Sequence, residues 1–225
     1  MWSKTVWRDK LHDLLQKLTS LFGADFVTVL TLFMRYFPLP GPSQPQGLYE
    51  VLEYESELEL KDAKGRLALL SKFQRVRFLQ NNIIAYQDQA WGDGDIFADY
   101  QCSPGKAVDR YREGHRYHIL ISLRQAKQRG DIEVFNITRK LRNSFTKSVE
   151  EWQTEINHPT KDFSVSVIFP RSRPPRRLYL IEQNQNRSTT LGPETRHRLP
   201  DGREKVTCRI SSPQLFEAYI LRWEW

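Results

Sequence analysis

Cysteine is nearly absent from these 225 residues: Cys102 and Cys208 are the only two. Two cysteines exclude a disulfide framework, and neither lies at a metal-ligand spacing. This usage points to a reducing, cytoplasmic compartment. Long hydrophobic runs are missing as well. The most apolar stretch, FVTVLTLFMRYF, contains Arg35 and is too short to span a bilayer. The opening MWSKTVWRDKLHDLL is charged throughout, which argues against an apolar signal core. No HExxH, no GxSxG and no phosphate-binding loop occurs, and GDGD at 92–95 is not a dinucleotide fingerprint. No internal repeat is visible. Without a motif for chemistry, an enzyme is the less favoured reading, and no cofactor is expected.

What is present is a globular composition with an uneven charge. Apolar residues make up 39% of the chain, enough to build a core rather than a disordered coil. The net charge is +7. Residues 48–100 carry ten acidic and six basic side chains, whereas residues 101–225 carry fourteen acidic and twenty-three basic ones. The basic excess therefore belongs to the C-terminal half, where it permits an anionic partner such as nucleic acid. Arginines alternate with aromatics in RRLYLIEQNQNR, a composition able to stack bases.

The chain divides into three parts. In residues 1–37, Trp7, Leu11, Leu14, Leu15, Leu18, Leu21 and Phe22 recur at helical steps, with Ser3 as N-cap and Gly23 as stop. The spacing predicts an amphipathic helix whose Trp7, Leu11, Leu14 and Leu18 dock a protein partner or a second copy. ADFVTVLTLFMRYF, residues 24–37, fits a second helix by length and a strand by its β-branched residues. Residues 38–47, PLPGPSQPQG, form a stiff proline-rich linker.

From residue 48 the period changes to two. Glu53, Glu55, Glu57, Glu59 and Lys61 share one face of a strand, and Leu52, Tyr54, Leu58 and Leu60 the other. After a DAKG turn the next strand returns with Lys72, Arg75 and Arg77, which are expected to face the glutamates across the pair. The glutamate row then reads as a solvated face. About ten short strands follow to the C-terminus, separated by turn signals such as Asn81–Asn82, RGD at 129–131 and PDG at 200–202. The pattern predicts an all-β region over residues 48–225: an antiparallel β-sandwich, or a partly closed barrel, preceded by the helical segment.

Two stretches are candidate sites. DQAWGDGDIFAD places Asp88, Asp93, Asp95 and Asp99 in one expected loop, a weak calcium candidate whose spacing departs from the helix-loop-helix pattern. The same loops, around residues 88–105, are where an unrecognised hydrolase site would sit. FPRSRPPRR, residues 169–177, offers Arg171, Arg173, Arg176 and Arg177 on a proline-stiffened connection suited to an anion. His115 and His118, three apart on an expected strand, face opposite ways and cannot share one metal. Trp152 is expected in the core. The leading functional expectation is a non-enzymatic adaptor for a protein partner. The alternatives are polyanion binding by the basic half and hydrolysis in the loops.

Deleting residues 1–47 is expected to leave a folded β-region and to remove partner binding or self-association. Thermal denaturation of residues 48–225 checks this: a cooperative melt agrees, and an insoluble or molten product assigns the first segment to the core.

Overall fold

The structure, a computed structural model, describes residues 47–225. The helical stretch with Trp7, Leu11, Leu14 and Leu18, residues 24–37 and the proline-rich linker up to residue 46 lie outside the described residues. The described region is all-β. Its strands are β1 (Tyr49–Leu60), β2 (Leu67–Phe78), β3 (Ile83–Ala90), β4 (Asp95–Ser103), β5 (Lys106–Glu113), β6 (Arg116–Lys127) and β7 (Ile132–Arg142). They continue as β8 (Val149–Glu155), β9 (Thr160–Phe169), β10 (Arg177–Glu182), β11 (Arg187–Thr190), β12 (Arg196–Arg198), β13 (Glu204–Ser211) and β14 (Ala218–Glu224). A single 3-10 turn, Pro193–Thr195, interrupts them.

These strands form three sheets. A seven-stranded sheet runs β12-β13-β9-β1-β2-β7-β4, a four-stranded one β11-β10-β14-β8, and a three-stranded one β3-β6-β5. The two smaller sheets are antiparallel throughout. The large sheet is not, because β1 and β9 pair in parallel, Tyr54 beside Phe163 and Leu58 beside Val167. A strictly antiparallel sandwich is therefore corrected to three sheets with one parallel pair. Parallel neighbours need a long crossover, and here seven strands intervene between the two.

Alternation decides which face is buried. On β1, Tyr54, Ser56, Leu58 and Leu60 point inward. The glutamates point outward and find cations: Glu53 with Arg75, Glu50 with Arg77, Glu57 with Lys205, and Glu59 with Arg203 and Lys61. The inner face of the large sheet meets both smaller sheets through aromatic rings. Phe135 stacks on Tyr86 of the three-stranded sheet, their centroids 3.9 Å apart. Phe163 and Phe169 meet Tyr219 and Trp223 of the four-stranded sheet at 5.5 Å each. Trp223 and Trp225 share one side of the last strand, both buried. Cys208 sits in this core, and burial pushes its thiol up to about 11, which removes it from thiolate chemistry.

The β1–β2 turn shows how a loop sequence is dictated. Asp62 accepts hydrogen bonds from the backbone N–H groups of Lys64, Arg66 and Leu67. Gly65 has φ +65°, and a Cβ there would fall 1.6 Å from the Phe145 carbonyl oxygen, so only glycine fits.

FPRSRPPRR joins β9 to β10, and its arginines differ in their surroundings. Arg173 donates to the Ala63 carbonyl at 2.9 Å and lies 4.0 Å over the Trp225 ring. Arg177 pairs with Glu224 at 3.5 Å. Arg171 and Arg176 are exposed. Arg173→Gln is accordingly expected to cost about 1–2 kcal/mol, the loss of one hydrogen bond and one cation–π contact. Arg171→Gln with Arg176→Gln is expected to leave the urea midpoint unchanged. Equal effects from both variants would undo this division of roles.

A buried charged cavity as candidate functional site

Three charged side chains occupy the apolar parity of their strands. On β2, Lys72 follows Leu70 and precedes Val76 and Phe78 on the inner face. On β7, Arg139 lies between Ile137 and Leu141, and on β3, Asp88 lies between Tyr86 and Ala90. Register places Lys72 opposite Ile137 and Arg139 opposite Leu70. Their relative exposures are 9% for Lys72, 4% for Asp88 and 2% for Arg139, so bulk water serves none of them well. A charge so placed must find its partners inside.

Lys72 and Asp88 find them in each other. Lys72 Nζ donates to Asp88 Oδ1 at 2.8 Å and to the Gln89 carbonyl at 2.9 Å. Tyr100 of β4 donates its hydroxyl to Asp88 Oδ2 at 3.1 Å. Burial pulls the Lys72 ammonium below the usual lysine range, and Asp88 opposes that pull. Burial, reinforced by the Asp88 carboxylate, raises the phenols of Tyr54 and Tyr100, so both stay protonated. Tyr49 and Tyr86 are raised for the same leading reason.

Arg139 is different. Burial pushes its guanidinium below the usual arginine value, with Asp88, Tyr100 and Tyr54 acting against that push. Its Nε and Nη1 have no hydrogen-bond partner among the described residues. The ring of Phe97 lies 5.6 Å from its guanidinium carbon. Such unpaired buried donors are uncommon in folded proteins.

These side chains line a cavity of about 70 Å³ at the meeting of the three sheets. Tyr54, Lys72 and Arg139 reach it from the large sheet, Asp88 and Gln87 from the three-stranded sheet, and Trp152 from the four-stranded sheet. One water needs roughly 10–15 Å³ measured this way, so the space suits a few waters or one small molecule. Its rim is fixed by Trp152 Nε1 donating to Ser56 Oγ and Asn157 Nδ2 donating to Gln89 Oε1, each at 3.0 Å. His158 also lines it, 4.1 Å from the Tyr49 ring centroid, and burial lowers its pKa to about 4, so it is neutral at pH 7. A larger cleft of about 360 Å³ shares Trp91, Trp152 and Gln153 with this cavity. Lys147 pairs there with Asp93 and Arg222 with Glu151, while the buried Glu150 accepts the Lys147 backbone N–H. The smaller cavity is the one lined from all three sheets and by the buried Lys72–Asp88 pair.

The residues singled out in the sequence are distributed otherwise. Asp88, Asp93, Asp95 and Asp99 do not share a loop, because β3 and β4 claim three of them. Asp88 is the buried partner of Lys72, Asp93 pairs with Lys147 and Asp99 with Lys140, and Asp95 accepts from the Phe97 N–H. Among the described residues, no three His, Cys, Asp or Glu side chains converge in a way that would hold a metal ion. Residues 88–105, expected as loops, are mostly strand. Lys72, read as an outward partner of the glutamates, faces inward instead. It and Arg139 were missed although parity marks both: each stands two residues from buried aliphatics on its own strand.

No protein-family model matches this sequence, and no curated protein matches it. Among solved structures, the chain is similar to the crystal structure of an M1 zinc metallopeptidase from Deinococcus radiodurans, at 10% identity and a TM-score of 0.45. That likeness covers 79% of this chain and 42% of the other, so the chain spans less than half the length of that protein.

His158 generates a pH prediction. Its folded pKa of about 4 lies below the ordinary 6.5, so the native state prefers the neutral ring. The associated stability is complete above pH 6.5 and is lost as pH falls from 6.5 towards 4, by at most roughly 3 kcal/mol. His158→Phe keeps the ring contact with Tyr49 and is expected to flatten this limb of the stability–pH curve in urea denaturation. An unchanged limb would assign the acid sensitivity to other groups.

Proposed function

We propose that residues 47–225 form a recognition module that takes a small polar ligand into the cavity between the three sheets and does not transform it. The carrying observation is the cavity itself: a partly open space into which polar side chains from three separate sheets converge. Binding is favoured over turnover by the state of the ionisable groups. Lys72 and Asp88 are each engaged twice, leaving neither poised to move a proton. A protein partner is the second reading. Ile84, Val108, Tyr111 and Leu120 are exposed large apolar side chains on the three-stranded sheet, the kind of surface a partner covers.

The first reading is tested by melting the full chain against a panel of polar fragments of about eight heavy atoms or fewer. Ligand at ten times its Kd stabilises by about 1.4 kcal/mol, which raises Tm by roughly 3–6 °C in a chain of this size. Asn157→Trp, at the rim, is expected to melt cooperatively and to lose the response. A panel without any stabilising fragment, or a response untouched by Asn157→Trp, would reject the cavity as the site.

A further inference from the structure

We infer that one end of the seven-stranded sheet is a binding surface for the phosphate backbone of a nucleic-acid duplex. It is separate from the cavity, which none of its residues line. Three segments build it: residues 61–66 between β1 and β2, 170–177 leading from β9 into β10, and 196–205, which comprise β12, the PDG turn and the start of β13. The sheet brings them together. β1 and β9 run parallel and end side by side, and β13 starts opposite the end of β9. Side chains then tie the segments to one another. Arg173 donates to the Ala63 carbonyl at 2.9 Å and Arg196 to the Pro175 carbonyl at 3.4 Å, and Arg203 pairs with Glu59 near the end of β1. Arg171 passes close to the PDG turn, where a Cβ on Gly202 would lie 3.1 Å from its side chain.

The three segments hold eleven Lys and Arg against three Asp and Glu, a surplus of eight. The whole chain has a net charge of +7, so the rest of it is close to neutral. The basic character is therefore local. Neighbouring carboxylates neutralise part of it: Glu59 holds Lys61 and Arg203, Glu57 holds Lys205, Glu204 holds Arg196 and Glu224 holds Arg177. Lys64, Arg66, Arg171, Arg176 and Arg198 are exposed and pair with no described carboxylate. They come from all three segments. Like charges gathered on one surface repel, and an anionic partner relieves that repulsion. Eight of the eleven cations are arginines, whose planar guanidinium matches phosphate oxygens. No Phe, Tyr or Trp occurs in the segments, so they offer no platform on which unpaired bases would stack. Leu199 is their one large aliphatic residue, too little to anchor in a bilayer. What remains is contact with phosphates, which positions a duplex without reading its sequence.

The full chain is titrated into a fluorescently labelled DNA duplex of about twenty base pairs, and anisotropy is followed between about 50 and about 200 mM salt. Binding is expected at the low end, equally for two unrelated sequences. It is expected to weaken by about a hundredfold across that range, as roughly four phosphate contacts require. Arg171→Gln with Arg176→Gln, and separately Arg66→Gln with Arg198→Gln, are each expected to weaken binding at low salt. Each pair is expected to flatten the slope of log K against log salt by about 2 and to leave the urea midpoint unchanged. Arg124→Gln with Arg129→Gln removes the same charge from exposed positions outside the three segments and is expected to keep the affinity within about twofold. An RNA duplex of the same length shows which of the two phosphate-bearing helices is preferred. An equal loss in the Arg124 and Arg129 variant would assign binding to net charge and overturn the proposal. Tighter binding of the single strand, of polyglutamate or of phosphatidylserine vesicles would overturn it too, since each names a different partner. If no duplex binds at the lowest salt, these arginines are a solvated surface and the proposal is wrong.

Discussion

The contact between Lys72 and Asp88 is the constraint around which the interior is arranged. It joins the inner face of the seven-stranded sheet to the three-stranded sheet at a depth where neither ion is well hydrated. An ion pair in such a place gives little net stability, because desolvation consumes most of the Coulombic attraction. Its effect lies in what it forbids. Removing either partner would strand the other as a buried charge, at a cost of about 3–5 kcal/mol. Sliding β3 against β2 would do the same, since Lys72 also grips the Gln89 carbonyl next to Asp88. Tyr100 brings β4 to the same carboxylate. One ion pair thus fixes the mutual placement of three strands that the hydrophobic effect alone, being non-directional, would leave free to shift.

The rings around the pair complete that placement. Tyr86 stacks on Phe135 across the two sheets and lies 5.1 Å from Tyr49, while Tyr49 meets His158 on its other neighbour side. These side chains line a small polar volume instead of filling it. The four-stranded sheet contributes Trp152, whose indole N–H is spent on Ser56. The cavity follows from three sheets meeting at a place where charged residues keep aliphatic ones out.

Much of this was legible in the chain, because the strand period is two and a buried face must be apolar. The outward glutamates of β1, the inward Phe163, Val165, Val167 and Phe169 of β9, and the tight DAKG and PDG turns all follow from that rule and from glycine and aspartate chemistry. The same rule identifies the site when applied to its exceptions. Lys72, Asp88 and Arg139 each break an apolar parity, and a charge that breaks parity must be paired or used. Composition pointed elsewhere. Grouped by proximity, four aspartates looked like one loop, and four arginines like one arm. Strand formation separated the aspartates, and Arg173 of the arginine stretch meets the Ala63 carbonyl and the Trp225 indole. Neither partner is near in sequence, so no local reading finds them. The parallel pairing of β1 with β9 was hidden for the same reason.

Arg139 is the residue for which stability offers no account. Its neighbours on the inner face of β7 are Ile137 and Leu141, and an aliphatic side chain at that position would continue their row. Buried ions replaced by well-packed apolar groups often leave a protein as stable or more so. A guanidinium buried without a full set of acceptors is therefore a cost that the fold does not require. Lys72 and Asp88 hold each other and locate the sheets, whereas the Nε and Nη1 of Arg139 have no such partner among the described residues.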